Sequence, residues 1–344
     1  MHTPVLRYHG GKYRLAKWIC SFFPEHRTYV EPYSGAASVL LRKPRSYGEV
    51  YNDLDQELFN LFLVLRDEEQ SKRLYELCQL TPYSRDEFKL AYEPARDPIE
   101  RARRMIVRSS MGFGSGAASG HRTGFRCDAK RPSGTPSHVW KKYPAVIKWV
   151  CARLRGVNIE NRPALDCITY HDSESSLFYV DPPYLHNTRV LNSSGSVYKH
   201  EMSEEDHMAL LKTLMQCKGM VILSGYDSDL YNDTLKGWRK EEKSARISAS
   251  KGTALKTECL WINPYCDEML NQKGGTSIRH TSQGAYVTHH MRSEDTENKI
   301  RQQIERMLSN GDKITKTSIA KNIGISREQI TRRYSHLFEE LTSA

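Results

Sequence analysis

Three observations predict an α/β fold built on a Rossmann-like sheet. Residues 28–53 read as a strand, a small-residue turn, a helix and a second strand ending at an acid, Asp53. That order begins a nucleotide-binding α/β unit. Ser176-Leu177-Phe178-Tyr179-Val180 is an apolar strand-type run that ends at Asp181. Gly219-Met220-Val221-Ile222-Leu223-Ser224 is near-continuously apolar, as a strand covered on both faces requires. In open sheets of this kind, ligands bind beyond the carboxyl ends of the strands.

Residues 15–23 read as a helix, and Thr28-Tyr29-Val30-Glu31 as a short strand ending at Glu31. The small-residue turn from Pro32 to Ser38 opens a helix at Val39-Leu40-Leu41. Glu49-Val50-Tyr51 is the second strand. Leu58, Phe59, Leu61, Phe62 and Leu65 mark the apolar face of the helix after it. Residues 70–160 break the rhythm. A helix around 98–108 leads into the Gly/Ser-rich run 109–120, too rich in both to be core. Residues 121–137 continue it as a flexible basic loop on an inserted subdomain. The α/β pattern resumes at 156–159 and again before Asp181. Ser203 caps a helix, and Asp206 makes it loosely resemble a capping box. Met208, Leu210, Leu211, Leu214 and Met215 are the predicted buried face of that helix. Residues 238–247 and 256–263 read as a closing antiparallel pair. After Pro264 the composition shifts: 271–297 reads as a linker rich in Gly, Ser, Thr and His, and helix resumes at 298.

A chain of 344 residues can form one large domain and a small one. No apolar run approaches the roughly 20 residues of a membrane helix. Met1-His2-Thr3-Pro4 lacks the build of a signal peptide. The eight cysteines include no CxxC pair, so neither a zinc site nor a disulfide framework is expected, and a reducing cytoplasm fits. His9, His121 and His171 are expected to be solvated or structural, as are most of 13 scattered histidines. The net charge of +10 favours a polyanionic partner. Residues 101–156 carry 13 Lys or Arg against one acid, Asp128, an imbalance that points to a phosphate backbone. Trp140 and Trp149 in that stretch are expected in the core.

Three co-linear motifs carry the chemistry. Tyr8-His9-Gly10-Gly11-Lys12 precedes a helix; its glycines allow close backbone approach, and the helix N-terminus can hold a carboxylate. Val30-Glu31-Pro32-Tyr33-Ser34-Gly35-Ala36-Ala37-Ser38 is followed by Asp53, 18 residues after Gly35, where a strand-end acid can take both ribose hydroxyls. Asp181-Pro182-Pro183-Tyr184 ends the third strand. In this order the motifs resemble the Dam-like (DPPY, alpha-group) family of N6-adenine DNA methyltransferases, over residues 5–265. Tyr184-Leu185-His186-Asn187-Thr188-Arg189 and Tyr198-Lys199-His200-Glu201-Met202 also look like phage and bacterial members.

The resemblance implies a Rossmann-like S-adenosylmethionine-dependent methyltransferase sheet with an inserted, mainly helical DNA-recognition subdomain. It implies methyl transfer to the N6 amine of a flipped adenine in double-stranded DNA, with no metal and no membrane. Tyr8, Gly10, Gly11 and Lys12 would contact the cofactor. Glu31, Tyr33, Ser34, Gly35 and Ala36 would line the methionine pocket, and Asp53 would hold the ribose. Asp181, Pro182, Pro183 and Tyr184 would handle the base, with Asp181 also touching the cofactor, and Tyr198 would close over the target strand. Arg122, Arg126, Lys130 and Arg131 of the insertion are the candidate DNA contacts. A monomer or weak dimer on DNA is expected, in a bacterial nucleoid or phage-encoded. The chain departs from the family pattern in two places. Ala36 or Ala37 stands where a second glycine is common, and Pro163, with Asp166 beyond it, stands where an acid usually touches the cofactor adenine.

The chemistry needs these residue types. The adenine amine is a poor nucleophile because its lone pair is delocalised into the ring. A carboxylate at Asp181 and the Pro182 carbonyl can each accept one N–H, which localises that lone pair. Positive charge grows on the nitrogen during attack, so the carboxylate stabilises the transition state more than the ground state. The prolines fix φ, and a Tyr184 ring can stack on a base taken out of the duplex. Cytosine N4, RNA or a protein amide are alternative substrates. Cytosine-N4 enzymes more often carry Ser in place of Asp181, and protein-glutamine enzymes Asn. A DNA-binding regulator on an inactive methyltransferase fold is a second alternative; the retained Asp53, Asp181 and Tyr184 count against it.

The tail reads as a helix-turn-helix. Ile319, Ala320, Ile325 and Ile330 fall on its buried side, Gly324 permits the turn, and Ser326 caps the second helix. Arg327, Arg332 and Arg333 lie on or beside that helix as candidate DNA contacts. The expected organisation is 1–69 and 157–270 as the two parts of the methyltransferase domain and 70–156 as the inserted target-recognition subdomain. A linker follows at 271–297 and the helix-turn-helix tail at 298–344.

Overall fold

Strict alternation of side chains along the central strands organises the molecule. In the computed structural model, Tyr29, Leu177, Tyr179, Ile222 and Ile262 face one hydrophobic layer. Their neighbours Val30, Phe178, Val180, Leu223 and Trp261 face the other. A sheet buried on both faces in this way needs apolar residues at nearly every position, which is how these strands read. The structure describes residues 4–114, 116, 120–128, 134–185, 200–249 and 252–272, and in the tail 299–304, 306, 307, 314–323, 328, 330, 331 and 334.

The seven strands are β1 (Thr28–Glu31), β2 (Gly48–Asn52), β3 (Val157–Glu160), β4 (Ser176–Val180), β5 (Met220–Gly225), β6 (Arg239–Ala249) and β7 (Gly252–Ile262). Their order in the sheet is β3-β2-β1-β4-β5-β7-β6. The first five run parallel. β7 inserts antiparallel between β5 and β6, so the expected closing pair is present. The order reverses between β1 and β4, and that switch point is where such sheets open a crevice.

Helices α1 (Ala16–Cys20), α2 (Gln56–Arg66), α3 (Glu68–Leu80), α4 (Arg85–Leu90), α5 (Pro98–Met111), α6 (Pro136–Lys142) and α7 (Pro144–Leu154) come before β3. α8 (Ala164–His171), α9 (Glu204–Met215), α10 (Asp229–Thr234) and α11 (Pro264–Gln272) come after it. α2, α3, α5 and α7 share one core with a face of the sheet, while α8, α9 and α10 cover the other face. Buried ions anchor the first layer. Glu49 of β2 takes Arg153 of α7 at 2.6 and 2.9 Å and Lys43 at 2.5 Å.

Several local expectations change. The helix expected at 39–41 is a series of turns with isolated bonds such as Leu41 N–H to Ala37 at 3.0 Å. Ala37 holds φ +51°, which no continuous right-handed helix can include. The helix expected over 15–23 is regular only at Ala16–Cys20. Ser109 and Met111 are buried as the last turns of α5, so the start of the Gly/Ser run is core. Ser203 and Asp206 form a complete capping box. α9 buries His207, Leu210, Leu211 and Leu214, leaving Met208 and Met215 exposed. The i, i+3, i+4, i+7 stripe therefore starts one residue earlier than expected. The Tyr231 hydroxyl, 2.8 Å from Nδ1, makes His207 tolerable inside.

The basic stretch is partly neutralised by acids outside it. Arg101 pairs with Glu57, Arg103 with Glu87 and Glu100, Arg104 with Glu100, Arg153 with Glu49 and Arg155 with Glu68. Counting along the chain missed this because the partners come from neighbouring helices, from β2 and, at Glu100, from the residue just before the counted stretch. Trp140 is core, its indole donating to the Thr81 carbonyl at 2.8 Å, and Trp149 is half-buried.

The chain divides into two compact units, Met1–Thr276 and Ser277–Ala344. The second holds the helix Lys316–Ile323 and a small core of Ile300, Ile304, Met307, Ile319, Ala320, Ile330 and Tyr334. Ile325, Gly324 and Ser326 lie outside the described residues, as does most of the expected linker. Among the described residues, no helix is long and apolar enough to cross a membrane.

Candidate active site

Strand parity gathers the polar groups of the site. Glu31 and Asp181 continue the alternation of Tyr29 and of Leu177 and Tyr179, while Ser224 and Glu258 continue that of Ile222 and of Leu260 and Ile262. Four adjacent strands, β1, β4, β5 and β7, thus deliver these side chains to one face at one end of the sheet. A cavity of about 360 Å³ opens there, lined by segments 8–12, 31–36, 53–55, 162–165 and 200–202, with Tyr179, Asp181 and Pro183.

One end of the cavity is built on a pinned backbone. Gly35 at φ +51° donates its N–H to Asp53 Oδ2 at 2.8 Å, and its carbonyl accepts the Tyr51 hydroxyl at 3.0 Å. A Cβ here would meet the Tyr8 ring at 3.4 Å. Asp53 also accepts the Asp55 N–H at 2.9 Å on its other oxygen, so each oxygen keeps a lone pair for a further donor. Burial pushes Asp53 up to about 6. Asn52 ties three strand ends together: its amide donates to the Pro32 and Arg162 carbonyls at 2.9 and 3.1 Å and accepts the Arg162 N–H at 3.1 Å. Ser34 completes the knot, accepting the Asn52 N–H at 3.1 Å and donating to the Glu31 carbonyl at 2.7 Å. Neither Asn52 nor Tyr51 was singled out from sequence; the signal was their place at the end of β2, beside Asp53.

The other end is a charged cluster. Lys12 Nζ lies 3.0 Å from Asp181 Oδ1, 3.5 Å from Glu258 Oε1 and 4.7 Å above the Tyr184 ring. It donates to the Gly10 carbonyl at 2.9 Å. The Tyr184 hydroxyl donates to Glu258, which also accepts Ser224 Oγ at 2.8 Å. Tyr226 meets the Tyr184 ring edge-on at 4.6 Å. Burial pushes Asp181 up to about 6, with Lys12 pulling it down and Glu258 pushing it up. Burial pushes Glu31 up to about 8 while the Tyr29 hydroxyl, 2.5 Å away, pulls it down.

Every residue expected at the cofactor lines or borders this cavity: Tyr8, Gly10, Gly11, Lys12, Glu31, Tyr33, Ser34, Gly35, Ala36, Asp53 and Asp181. Pro163, Ala164 and Leu165 line it at the start of α8, whose N-cap Pro163 makes no side-chain cap bond. Ala37 takes the left-handed conformation at φ +51° that a second glycine would adopt without strain. Arg122 is exposed, its guanidinium 5.7 Å from the Tyr92 ring centre, and Arg126 is half-buried. Lys130, Arg131, Tyr198, Arg327, Arg332 and Arg333 lie outside the described residues. Glu258 escaped the sequence reading, although an acid inside the apolar strand ending at Ile262 is an anomaly that parity points inward.

Among the described residues, Glu160, Cys167 and His171 bring potential metal ligands together. Arg162 and His171 already pair with the two Glu160 oxygens, at 3.1 and 3.0 Å. Burial pushes the Cys167 thiol up to about 12, away from the thiolate a metal takes.

A mixed sheet with a reversed strand beside β5, and a cavity over the β1–β4 switch point lined by a glycine turn and a strand-end acid, suits a nucleoside-bearing ligand. This is the architecture of S-adenosylmethionine-dependent methyltransferases. The chain belongs to the D12 class N6 adenine-specific DNA methyltransferase family, whose pattern matches residues 8–249. Its cofactor is S-adenosylmethionine, its substrate DNA and its product N6-methyladenine. Comparison with curated proteins gives no match.

Proposed function

We propose that Asp181 and the Pro182 carbonyl accept the two N–H groups of a flipped adenine, while Asp53 holds the cofactor ribose. One observation carries this reading: the ends of β1 and β4 place Glu31 and Asp181 on one cavity, with the Gly35–Asp53 bond at its other side. The cofactor supplies an electrophilic methyl. The chain orients and polarises the amine. Asp181 has a side chain 17% accessible, so its carboxylate is reachable from the cavity. The Gly10 and Gly11 backbone before α1 suits the methionine carboxylate, and the buried Glu31 suits its ammonium. The amides of Ala164 and Leu165 and the Pro163 ring suit the adenine in place of the missing acid. Tyr184 backs the target base, its ring held by the hydroxyl bond to Glu258.

The same reading assigns DNA contacts to the basic surface of the insertion, the exposed Arg122 and the half-buried Arg126 included, and makes the tail a helix-turn-helix that adds affinity. The buried Ile319, Ala320 and Ile330 support the tail assignment. The eight free cysteines suit a reducing compartment. The test is a double dissociation on duplex DNA with labelled cofactor. Asp53→Ala should weaken cofactor binding while methylation recovers at high cofactor. Asp181→Asn should leave methylation strongly impaired at every cofactor concentration. Equal behaviour of the two variants would sink the division of roles.

A further inference from the structure

The charge at the base end does not close on the residues the motifs supply. Lys12 lies 3.0 Å from Asp181, and a lysine paired only with that carboxylate would cancel its charge. Methyl transfer places positive charge on the attacking nitrogen, so a neutral pair would stabilise the transition state poorly. A second carboxylate corrects the sum. Glu258 on β7 lies 3.5 Å from the same ammonium and, with Asp181, leaves one net negative charge on the three groups. Glu258 is 5% exposed, and its acceptor bonds come from Tyr184 and Ser224.

We propose that Glu258 is a positioning residue for methyl transfer, acting through two groups: it fixes the Tyr184 ring by its hydroxyl and shares Lys12 with Asp181. The inference rests on the assignment of Asp181 as the group that meets the adenine amine. Glu258 is not among the residues that line the cavity. It keeps the Lys12 ammonium from being committed to Asp181 alone, so the Asp181 oxygens retain acceptor strength for the amine. It also holds the aromatic ring at a fixed height beside them, since a tyrosine tethered at its hydroxyl cannot tilt into the space the base needs. β7 is the last strand in chain order, and its antiparallel pairing with β5 brings Glu258 to the site.

The test is the single-turnover methylation rate on duplex DNA against pH, using the full chain, with cofactor affinity measured by calorimetry. Among the described residues, the charged and titratable groups facing Asp181 are Lys12, Glu31, Tyr179, Tyr184, Tyr231 and Glu258. Wild type should show an acid limb near the Asp181 value of about 6. Glu258→Gln keeps the shape and an acceptor oxygen but removes the charge. Lys12 then holds Asp181 alone, so the acid limb should move to lower pH. The rate on the plateau should fall roughly 10- to 100-fold with cofactor affinity unchanged. Glu258→Asp keeps the charge but not the reach to Tyr184, so the limb should stay and the rate should drop. Should the Gln variant fail to fold, the Asp variant decides: wild-type rate with a wild-type limb overturns the proposal. So does a folded Gln variant with both unchanged, which would make Glu258 a satisfied core acid. Asp181→Asn is run alongside. If that variant methylates at the wild-type rate, the underlying reading of Asp181 fails instead.

Discussion

Two buried carboxylate clusters on this sheet carry opposite charge economies. Glu49, near the start of β2, is 3% exposed and hydrogen-bonds to Arg153 through both terminal guanidinium nitrogens and to Lys43, with Arg45 4.0 Å away. Burial pushes its pKa up, yet these partners outweigh burial and hold it below the usual carboxylate value. At the strand ends, Asp181 and Glu258 share one cation among the described residues, Lys12, and burial wins: Asp181 rises to about 6. Glu31 sits deeper and rises to about 8. The first cluster is saturated and fixes α7 to β2. The second is left short of positive charge, where a cationic ligand and a transition state that gains positive charge arrive. Under-compensation that would be a fault in a core is a binding potential in a site.

Breaking the saturated cluster should give the largest effect. Arg153→Met leaves Glu49 buried with Lys43 and the more distant Arg45, 4.0 Å away, and should cost about 3–5 kcal/mol of stability. A calorimetric melt would show it, with methylation per folded molecule unchanged. A mild loss of stability would mean Lys43 and Arg45 suffice and Glu49 is no more saturated than the strand-end acids.

Breaking the unsaturated cluster should do the reverse. Asp181→Asn should cut methylation by roughly 10²- to 10³-fold or more. Its melting temperature at pH 8 should hold or rise. The sign follows from the raised pKa: folding disfavours the ionised form, so the cost builds from pH 3.8 and is complete above about 6. A large drop in melting temperature at pH 8 would place Asp181 among the structural carboxylates.

Cofactor binding should sharpen the same point. A cationic ligand favours ionised Glu31, which in the free protein holds its proton up to about pH 8. Binding below that pH must release a proton, so affinity should rise by up to about tenfold per pH unit between 6 and 8 and level off above. Calorimetry in two buffers of different ionisation enthalpy counts the protons; none released would remove Glu31 from the ligand's surroundings.

The smallest effect concerns the loop between the clusters. Ala37 at φ +51° carries a strain of about 1–2 kcal/mol that glycine lacks. Its buried methyl and the lower entropy of its unfolded chain offset most of this. Ala37→Gly should therefore move stability by no more than about 1 kcal/mol, with cofactor affinity kept. A drop in affinity would show that the methyl shapes the cavity.

The strands were legible because buried parallel strands are apolar at every position, which left 176–180 and 219–224 unmistakable. The motifs were legible because glycines and strand-end acids interrupt such runs. The phase of α9 was not. A stripe started at Met208 or at His207 fits nearly the same leucines, and only Tyr231, 24 residues away, makes the buried histidine acceptable. The basic insertion misled in the same way, since Glu49, Glu57 and Glu87 lie outside the counted window.

By itself the sequence determined the fold class, the family and most cavity-lining residues, because local pattern and short motifs encode them within a few residues. Only the tertiary structure decided which charges meet. Lys12, Asp181 and Glu258 are far apart along the chain, and their mutual distances depend on strand order and on the antiparallel entry of β7. A Coulomb interaction depends on distance in space and on burial, and no spacing along the chain records either.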